Sequence, residues 1–325
     1  MTGAAAVWVL LADGAGDNNQ LLRLASELGL PFRTLELHYN KLHYLPPRVL
    51  RSSLASLDRR SREQIRGPWP SIVIGIGNRS VPVALAIRRL SGGRSKLVRI
   101  GNPRLAPASL DLVITTEQYR IPKASNVLEL PIGINTAHRV QPTAEEREWL
   151  DALPRPHRML LLGGNTFMWK LDPNCAGNAA RKLKARGGSV IAVSSSRTSK
   201  AVIKAVSTAI EDSVSGFVWG SFPRYSVLLA DADEICVTAD SVAMISDAVA
   251  TGKPVGLVEP AKTLSGKFFY GLAKIGIRVP VRDVQRFWTS VRARGLAGTV
   301  DQPVAGELDA DPLELAVKAV RRLIA

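Results

Sequence analysis

The chain predicts an α/β fold of two doubly wound domains, each a mostly parallel sheet with helices on both faces. Three observations carry this. Short apolar runs alternate with helical segments along most of the 325 residues, the pattern of parallel strands joined by crossover helices. The alternation pauses at Pro154, Arg155 and Pro156 and then restarts, which divides the chain into residues 1–153, residues 154–305 and a terminal segment, 306–325. The length points to two domains, and 46% hydrophobic with 22% charged residues is ample for two cores.

In the first half, residues 4–11 (AAAVWVLL) form a buried strand. A loop, DGAGDNNQ at 13–20, precedes a helix, LLRLASELG, closed by Gly29. The dinucleotide pattern G-x-G-x-x-G is absent, because Asn19 stands where a third glycine would follow Gly14 and Gly16. Residues 31–37 read as the second strand. Residues 39–48 read as an aromatic and basic loop with Pro46 and Pro47, either a packed loop or a contact for membrane or acceptor. Residues 71–76 make a further strand, followed by Gly77, Asn78, Arg79 and Ser80 and by a helix with Pro82 in its first turn. Strands at 96–100, 112–115 and 127–130 complete the series, and 144–150 is a charged helix.

The second half repeats the scheme. Residues 158–162 are a strand leading to Gly163, Gly164, Asn165 and Thr166. A helix over 174–186, a strand over 189–193, a serine-rich turn ending at Arg197 and Thr198, and another helix follow. Residues 217–219 read as a strand and 225–230 as a short helix. The organising stretch is 235–254, ICVTADSVAMISDAVATGKP. An apolar strand end runs into a sharp turn at Thr238, Ala239 and Asp240, and a helix begins there with Asp240 or Ser241 as N-cap. Gly252 ends that helix, and 255–258 is the next strand. The last helix, 312–325, has one apolar stripe of Leu313, Leu315, Ala316, Ala319, Val320 and Leu323. A helix this short needs a docking surface, and the glycine- and proline-containing loop before it allows the chain to cross back to the first domain.

Ligands of open α/β sheets bind beyond the carboxyl ends of the strands. The loops at 163–166, 195–198 and 238–241 should therefore converge. The helix start at Asp240, Ser241, Val242, Ala243 and Met244 offers free N–H groups and a partial positive charge to a phosphate. Arg197, with Ser196 and Thr198 beside it, is either a diphosphate clamp or a surface arginine. Asp247, six residues after Ser241, points roughly toward the mouth of the turn, where its carboxylate can accept from a ribose. Phe222 follows a strand and is placed to border a base. In the first half, Gly14, Gly16, Asp17, Asn18, Asn19 and Gln20, with Asn78 and Arg79, occupy the corresponding loops and would face an acceptor.

Composition narrows the classes. No apolar run reaches the length of a bilayer span and the N-terminus lacks the basic region of a signal peptide, so a cytoplasmic protein is expected. Two cysteines and four histidines give neither a disulfide framework nor metal spacing. The formal charge is +15, and residues 51–99 hold ten arginines and one lysine against Asp58 and Glu63. Such a stretch is a solvated basic face or a contact for anionic lipid, nucleic acid or an acidic acceptor. Since no nucleic-acid motif accompanies it, an anionic membrane or substrate is preferred.

The strand, small-residue turn, helical carboxylate and A-x-G-x-P of 235–254 resemble the nucleotide-sugar site of GT-B glycosyltransferases, most closely the transferase that adds N-acetylglucosamine in making lipid II. Over nearly the whole chain, DGAGDNNQ, GNPR at 101–104, DLVITTEQY, LLLGGNTFMWK, SSSRTS and VTADSVAMISDAVATGKPV resemble the "elongated mitochondria" family, which contains the plant mitochondrial fission factor and many bacterial proteins. The resemblance implies a GT-B-like fold with two domains facing across a cleft. It also implies transfer of a sugar from a nucleotide-diphosphate donor to a lipid-linked or envelope acceptor at the cytoplasmic face of a membrane. No cofactor beyond the donor and no metal is expected. An inverting transferase needs a base in the first domain; Asp17 is the candidate, or else a loop-capping aspartate. A non-catalytic membrane-associated scaffold and a sugar-nucleotide epimerase share the fold and stay open.

Overall fold

A computed structural model describes residues 6–134, 140–210, 217–218, 222–275 and 282–324. The chain forms two compact units, Met1–Thr136 with Ala310–Ala325, and Ala137–Asp309. In the first unit the chain runs β1 (Val7–Leu10), α1 (Ala15–Glu27), β2 (Phe32–Leu35), two short helices α2 (Pro47–Leu50) and α3 (Arg59–Glu63), β3 (Ile72–Ile76), α4 (Val81–Leu90), β4 (Lys96–Ile100), β5 (Leu112–Thr116) and β6 (Val127–Leu130). All six strands are parallel in the order β2-β1-β3-β4-β5-β6. The inner strands β1, β3, β4 and β5 are buried along nearly their whole length, as a doubly wound sheet requires, while β2 and β6 form its partly exposed edges. One face packs Trp8, Leu10, Val73 and Leu97 against Val83, Ala84 and Ile87 of α4; the other packs Val7, Val9, Ile72, Ile74 and Val98 against Leu21, Leu24 and Leu28 of α1.

The second unit contains α5 (Ala144–Asp151), β7 (His157–Leu162), β8 (Trp169–Lys170), α6 (Pro173–Ala185), β9 (Ser189–Ser194), α7 (Lys200–Ile210), β10 (Phe217–Val218), α8 (Tyr225–Asp231), β11 (Glu234–Thr238), α9 (Val242–Ala250), β12 (Val255–Val258), β13 (Ala261–Lys262), α10 (Leu264–Lys274), α11 (Val284–Ala293) and β14 (Gly298–Thr299). The parallel sheet has the order β10-β9-β7-β11-β12-β14, with β8 and β13 forming a separate antiparallel pair. This is the dinucleotide-fold order. Its topological switch point lies between β7 and β11, where crossovers leave in opposite directions and ligands gather. The registers Met159↔Ile235 and Leu161↔Val237 bring the ends of those two strands level.

The final helix, α12 (Pro312–Arg321), belongs to the first unit. Leu313, Ala316, Val317 and Val320 are buried beside α1 and the sheet, with Leu315, Ala319 and Leu323 half-buried around them. Val317 thus joins the expected stripe. The Arg321 guanidinium donates to the carbonyls of Glu27 and Leu28 at 3.2 and 3.3 Å, satisfying the open C-terminal end of α1. The crossing-back expectation holds.

Other expectations are corrected. The units divide near 136 instead of at Pro154, so α5 belongs with the second unit. Its Glu146 is held there by Arg224, whose guanidinium donates at 2.6 and 2.8 Å and whose backbone N–H donates at 3.0 Å. Helix α1 begins at Ala15, ahead of the expected start at Leu21. Gly16, Asp17, Asn18, Asn19 and Gln20 are therefore helical and do not form a loop. The Asn18 side chain makes this possible by accepting from the Ala12 N–H at 2.7 Å and donating to the Ala12 carbonyl at 3.0 Å. Helices α2, α3, α10 and α11 were not anticipated. Residues 4–5, Trp219 and Ser221, read as strand or turn positions, lie outside the described residues.

Two outcomes follow from this packing. Leu313→Ala removes a side chain that α1 and the sheet enclose, and should cost about 2–5 kcal/mol, read as a lowered denaturant midpoint; an unchanged midpoint would mean α12 is not docked. The arginine and the Thr143 amide hold the Glu146 carboxyl well below the usual carboxylate range. With its folded pKa below its unfolded one, its contribution is complete above the ordinary carboxylate range and is lost as pH falls through the folded value. Thermal melts of Glu146→Gln should show a deficit at neutral pH that persists at pH 4 and closes only in stronger acid.

Candidate functional site

At the switch point of the second sheet, a buried carboxylate joins the loops after β7, β9 and β11. The Asp240 residue is 4% exposed. It accepts from the Thr238 hydroxyl at 2.7 Å and from the Gly164 N–H at 3.0 Å, while the Thr238 hydroxyl accepts from the Gly163 N–H at 2.8 Å. Arg197 closes the set, its guanidinium 3.2 Å from the same carboxylate while 42% of its side chain stays exposed. Hydrogen bonds to a charged group are worth about 1.5–3 kcal/mol each. The buried Thr198 hydroxyl accepts from Ser195 N–H at 2.8 Å and is shared between the carbonyls of Leu162 and Gly163 at 2.9 and 2.6 Å. The glycines are there for close approach: a Cβ on Gly163 would lie 2.3 Å from the Asp240 carboxylate, and one on Gly164 2.0 Å from the Arg197 carbonyl.

The structure therefore brings Gly163, Gly164, Arg197, Thr198 and Asp240 together, and it separates the two N-cap candidates. Ser241 caps α9, accepting from Met244 N–H at 3.4 Å, whereas Asp240 is the tie between loops. The first intrahelical bond runs from Ile245 to Ser241, so the N–H groups of Val242 and Ala243 stand at the open end of the helix. Asn165 is exposed and Thr166 half-buried, and their side chains accept from Leu171 and Trp169 N–H groups at 3.0 Å each. They shape their own loop. Ser196 is exposed. Half-buried Asp247 accepts from the Tyr225 hydroxyl at 3.0 Å, and burial, then the Asp247 charge, pushes that phenol well above its ordinary pKa. Phe222, 41% exposed, precedes α8.

In the first unit, the switch point lies between β1 and β3. Gly14 is the N-cap of α1 with no side-chain cap, and exposed Asp17 sits in the first helical turn. Asn18 is committed to Ala12, Asn19 is exposed, and Gln20 reaches only back to Gly16. Arg79 pairs with Asp13 and lies over the Tyr39 ring at 5.7 Å, with Asn78 beside it half-buried. Beneath them Arg99 is wholly buried. It donates to the carbonyls of Ile76 and Gly77 at 3.1 Å each and to the Ser80 hydroxyl at 2.8 Å. Burial pulls Arg99 down to about 10, which leaves it charged at neutral pH, and pushes the Tyr39 phenol up to about 12. Asp13, Tyr39 and Arg99 escaped the sequence reading, as did the roles of Thr238 and Tyr225. Only the Thr-x-Asp spacing at the end of β11, which sets two side chains on one side of a strand, could have signalled any of them.

The basic stretch is not a uniform solvated face. Besides Arg99, Arg62 donates to the carbonyls of Ala55 and Leu57 at 2.8 and 2.9 Å, and Arg88 pairs with Asp111 at 3.5 Å. Arg59 and Arg60 remain exposed. Among the described residues no group of three or more His, Cys, Asp or Glu side chains is placed to hold a metal ion, and no helix is long and apolar enough to cross a membrane.

Comparison with known structures identifies the fold as GT-B-like. A UDP-N-acetylglucosamine 2-epimerase from Rickettsia bellii matches with a TM-score of 0.53 at 13% identity, covering 98% of this chain and 96% of that one. LpCGTa in complex with UDP matches at 0.53 and 13%, covering 99% and 91%. In sequence, the mitochondrial fission protein ELM1 of Arabidopsis thaliana is 27% identical over 240 residues, 65% of this chain and 56% of that protein, so the match spans little more than half of that relative. The profile "Mitochondrial fission ELM1" matches residues 15–302, nearly the whole of both units, and the chain belongs to the mitochondrial fission ELM1 family.

Proposed function

We propose that the second unit binds a nucleotide-diphosphate sugar and that the protein transfers the sugar to an anionic or lipid-linked acceptor at the cytoplasmic face of a membrane. The observation that supports this is the Asp240 tie. It fixes three loops at a dinucleotide-type switch point, directly before the open start of α9, and leaves half of Arg197 free beside them. A diphosphate would lie against the N–H groups of Val242 and Ala243, with Arg197 as its clamp. Asp247 would accept from the ribose with Tyr225 holding its carboxylate, and Phe222 would border the base. Several structures of similar fold were solved with UDP or UDP-sugars, which favours a uridine donor.

Transfer with inversion would proceed by attack of an acceptor hydroxyl on the anomeric carbon. The new C–O bond forms as the bond to the nucleoside diphosphate breaks. The leaving diphosphate stays on the α9 terminus, and a base takes the hydroxyl proton. Asp17 is the proposed base, acting without a metal. The epimerase similarity supports a second reading in which the same donor seat serves a reaction with no acceptor. Turnover of labelled UDP-, GDP- and CMP-sugars with and without membranes separates transfer, epimerisation and a binding scaffold.

The membrane contact we propose is the stretch 41–51 with Arg59 and Arg60. Leu42, Tyr44, Leu45 and Val49 are exposed there at 44, 81, 41 and 60%, next to Lys41, Arg48 and Arg51. Exposed apolar side chains among cations suit the interface of an anionic bilayer.

Two measurements check these assignments. By calorimetry, Arg197→Gln and Asp247→Asn should each weaken nucleotide-diphosphate binding about 10- to 100-fold, the scale of a charge-assisted hydrogen bond. Tyr225→Phe should weaken it less, and unchanged affinity in both of the first two would remove them from the site. Sedimentation with phosphatidylserine vesicles should fall with added salt and fall again in Leu42→Asp with Arg59→Glu; binding that ignores salt and substitution alike would exclude this surface.

A further inference from the structure

Among the described residues Arg99 has no carboxylate partner. It stands on β4 with its side chain passing across Gly75 of β3, where a Cβ would lie 1.9 Å from Nη1. Its Nε and Nη1 meet no acceptor among the described residues, and Nη2 alone donates to three oxygens of the turn above. A buried cation so weakly compensated is expensive, and a chain selected for stability alone would place an apolar residue there.

What the cation does is set by where it ends. The guanidinium lies directly under the turn 77–80, which opens α4. Ser80, the N-cap, offers its hydroxyl to Arg99 and makes no side-chain cap. Among the described residues no acceptor meets the N–H groups of Asn78, Arg79 and Ser80. Arg79 stands over the same turn, and the one carboxylate paired with it among the described residues is exposed Asp13. Two guanidinium groups, the start of α4 and three N–H groups without a described acceptor thus gather at the switch edge of the first sheet, beside the exposed carboxylate of Asp13. We propose that this turn is a phosphate seat. The N–H groups of 78–80 and Arg79 contact the phosphate oxygens, Arg99 supplies charge from below without touching them, and Asp13 holds Arg79 until the phosphate replaces it.

The seat is built from residues of the first unit and the Asp240 loops from residues of the second, and we assign the seat a second phosphate. Assigning that phosphate to the acceptor rests on the transferase reading, whereas the seat itself does not. The chemistry is a phosphate ester or diphosphate, either soluble or carried on a lipid.

The test is amide chemical shift in the full chain titrated with inorganic pyrophosphate at low salt. The amides of Asn78, Arg79 and Ser80 should move and saturate. Arg79→Gln, at an exposed position, should raise the midpoint at least tenfold. Asp13→Asn should lower it several-fold, because Arg79 is released from its pair. Arg197→Gln should leave these shifts as they are, so failure of the donor site and failure of the seat are told apart. Phosphatidylcholine vesicles with and without phosphatidic acid separate the sources: phosphatidic-acid-dependent sedimentation lost in Arg79→Gln supports a lipid-borne phosphate, and equal sedimentation alongside the pyrophosphate response supports a soluble one. Amides that stay still, or that move identically in wild type, Arg79→Gln and Asp13→Asn, overturn the proposal.

Discussion

The carboxylate of Asp240 is the constraint on which the second unit's ligand edge depends. Three loops separated by tens of residues end at one buried anion, and each contributes a donor that was otherwise unpaired: the Gly164 N–H, the Thr238 hydroxyl and the Arg197 guanidinium. A buried carboxylate without such donors would be strongly unfavourable, so the network is close to all-or-none. Its geometry explains the two glycines at 163 and 164, since any side chain at either would occupy space already held by Asp240 or by the Arg197 backbone. It also explains why Ser241, one residue later, caps α9: Asp240 is already engaged.

The first unit solves the same topological problem differently. Its loops at the switch edge are not tied by a buried anion. Here the buried charge is a cation, Arg99, whose Nη2 alone is paired, with two carbonyl oxygens and a hydroxyl. An anion in one unit's framework consumes positive donors, whereas a cation in the other's leaves positive field over. The two anion seats we propose would therefore work by different means, one through an open helix start beside a half-free arginine, the other through a turn with a charge beneath it. Helix α12 stabilises the first unit by covering α1 and capping its C-terminal end through Arg321.

Much of the fold was legible because it is written locally. The most buried parallel strands are largely apolar runs, and β3, β5 and β12 fall where those runs lie. What was missed depends on partners distant in the chain. The start of α1 is a poor helix sequence of Gly, Asp and Asn, made helical by the grip of Asn18 on Ala12. Helix α10 carries Gly266, which reads as a break; the structure needs it because a Cβ there would lie 2.2 Å from the Met168 carbonyl. Helix α11 was readable, since Val284, Phe287, Trp288 and Val291 follow helical spacing and are all buried. In the site, the convergence of three loops followed from strand order alone. The role of Asp240 did not, because its glycine partner, Gly164, lies 76 residues away. Arg99 reads as an outward strand residue, and nothing local reveals that Gly75 makes room for it.

The most direct test of the Asp240 tie is amide hydrogen exchange in Asp240→Asn compared with wild type. A neutral amide at this position can no longer accept through both oxygens. Protection should therefore fall together at 163–164 and 195–198, with the strands β7 and β11 unchanged. Exchange that rises only next to residue 240, or nowhere, would contradict the tie and remove the basis for an organised ligand edge in the second unit.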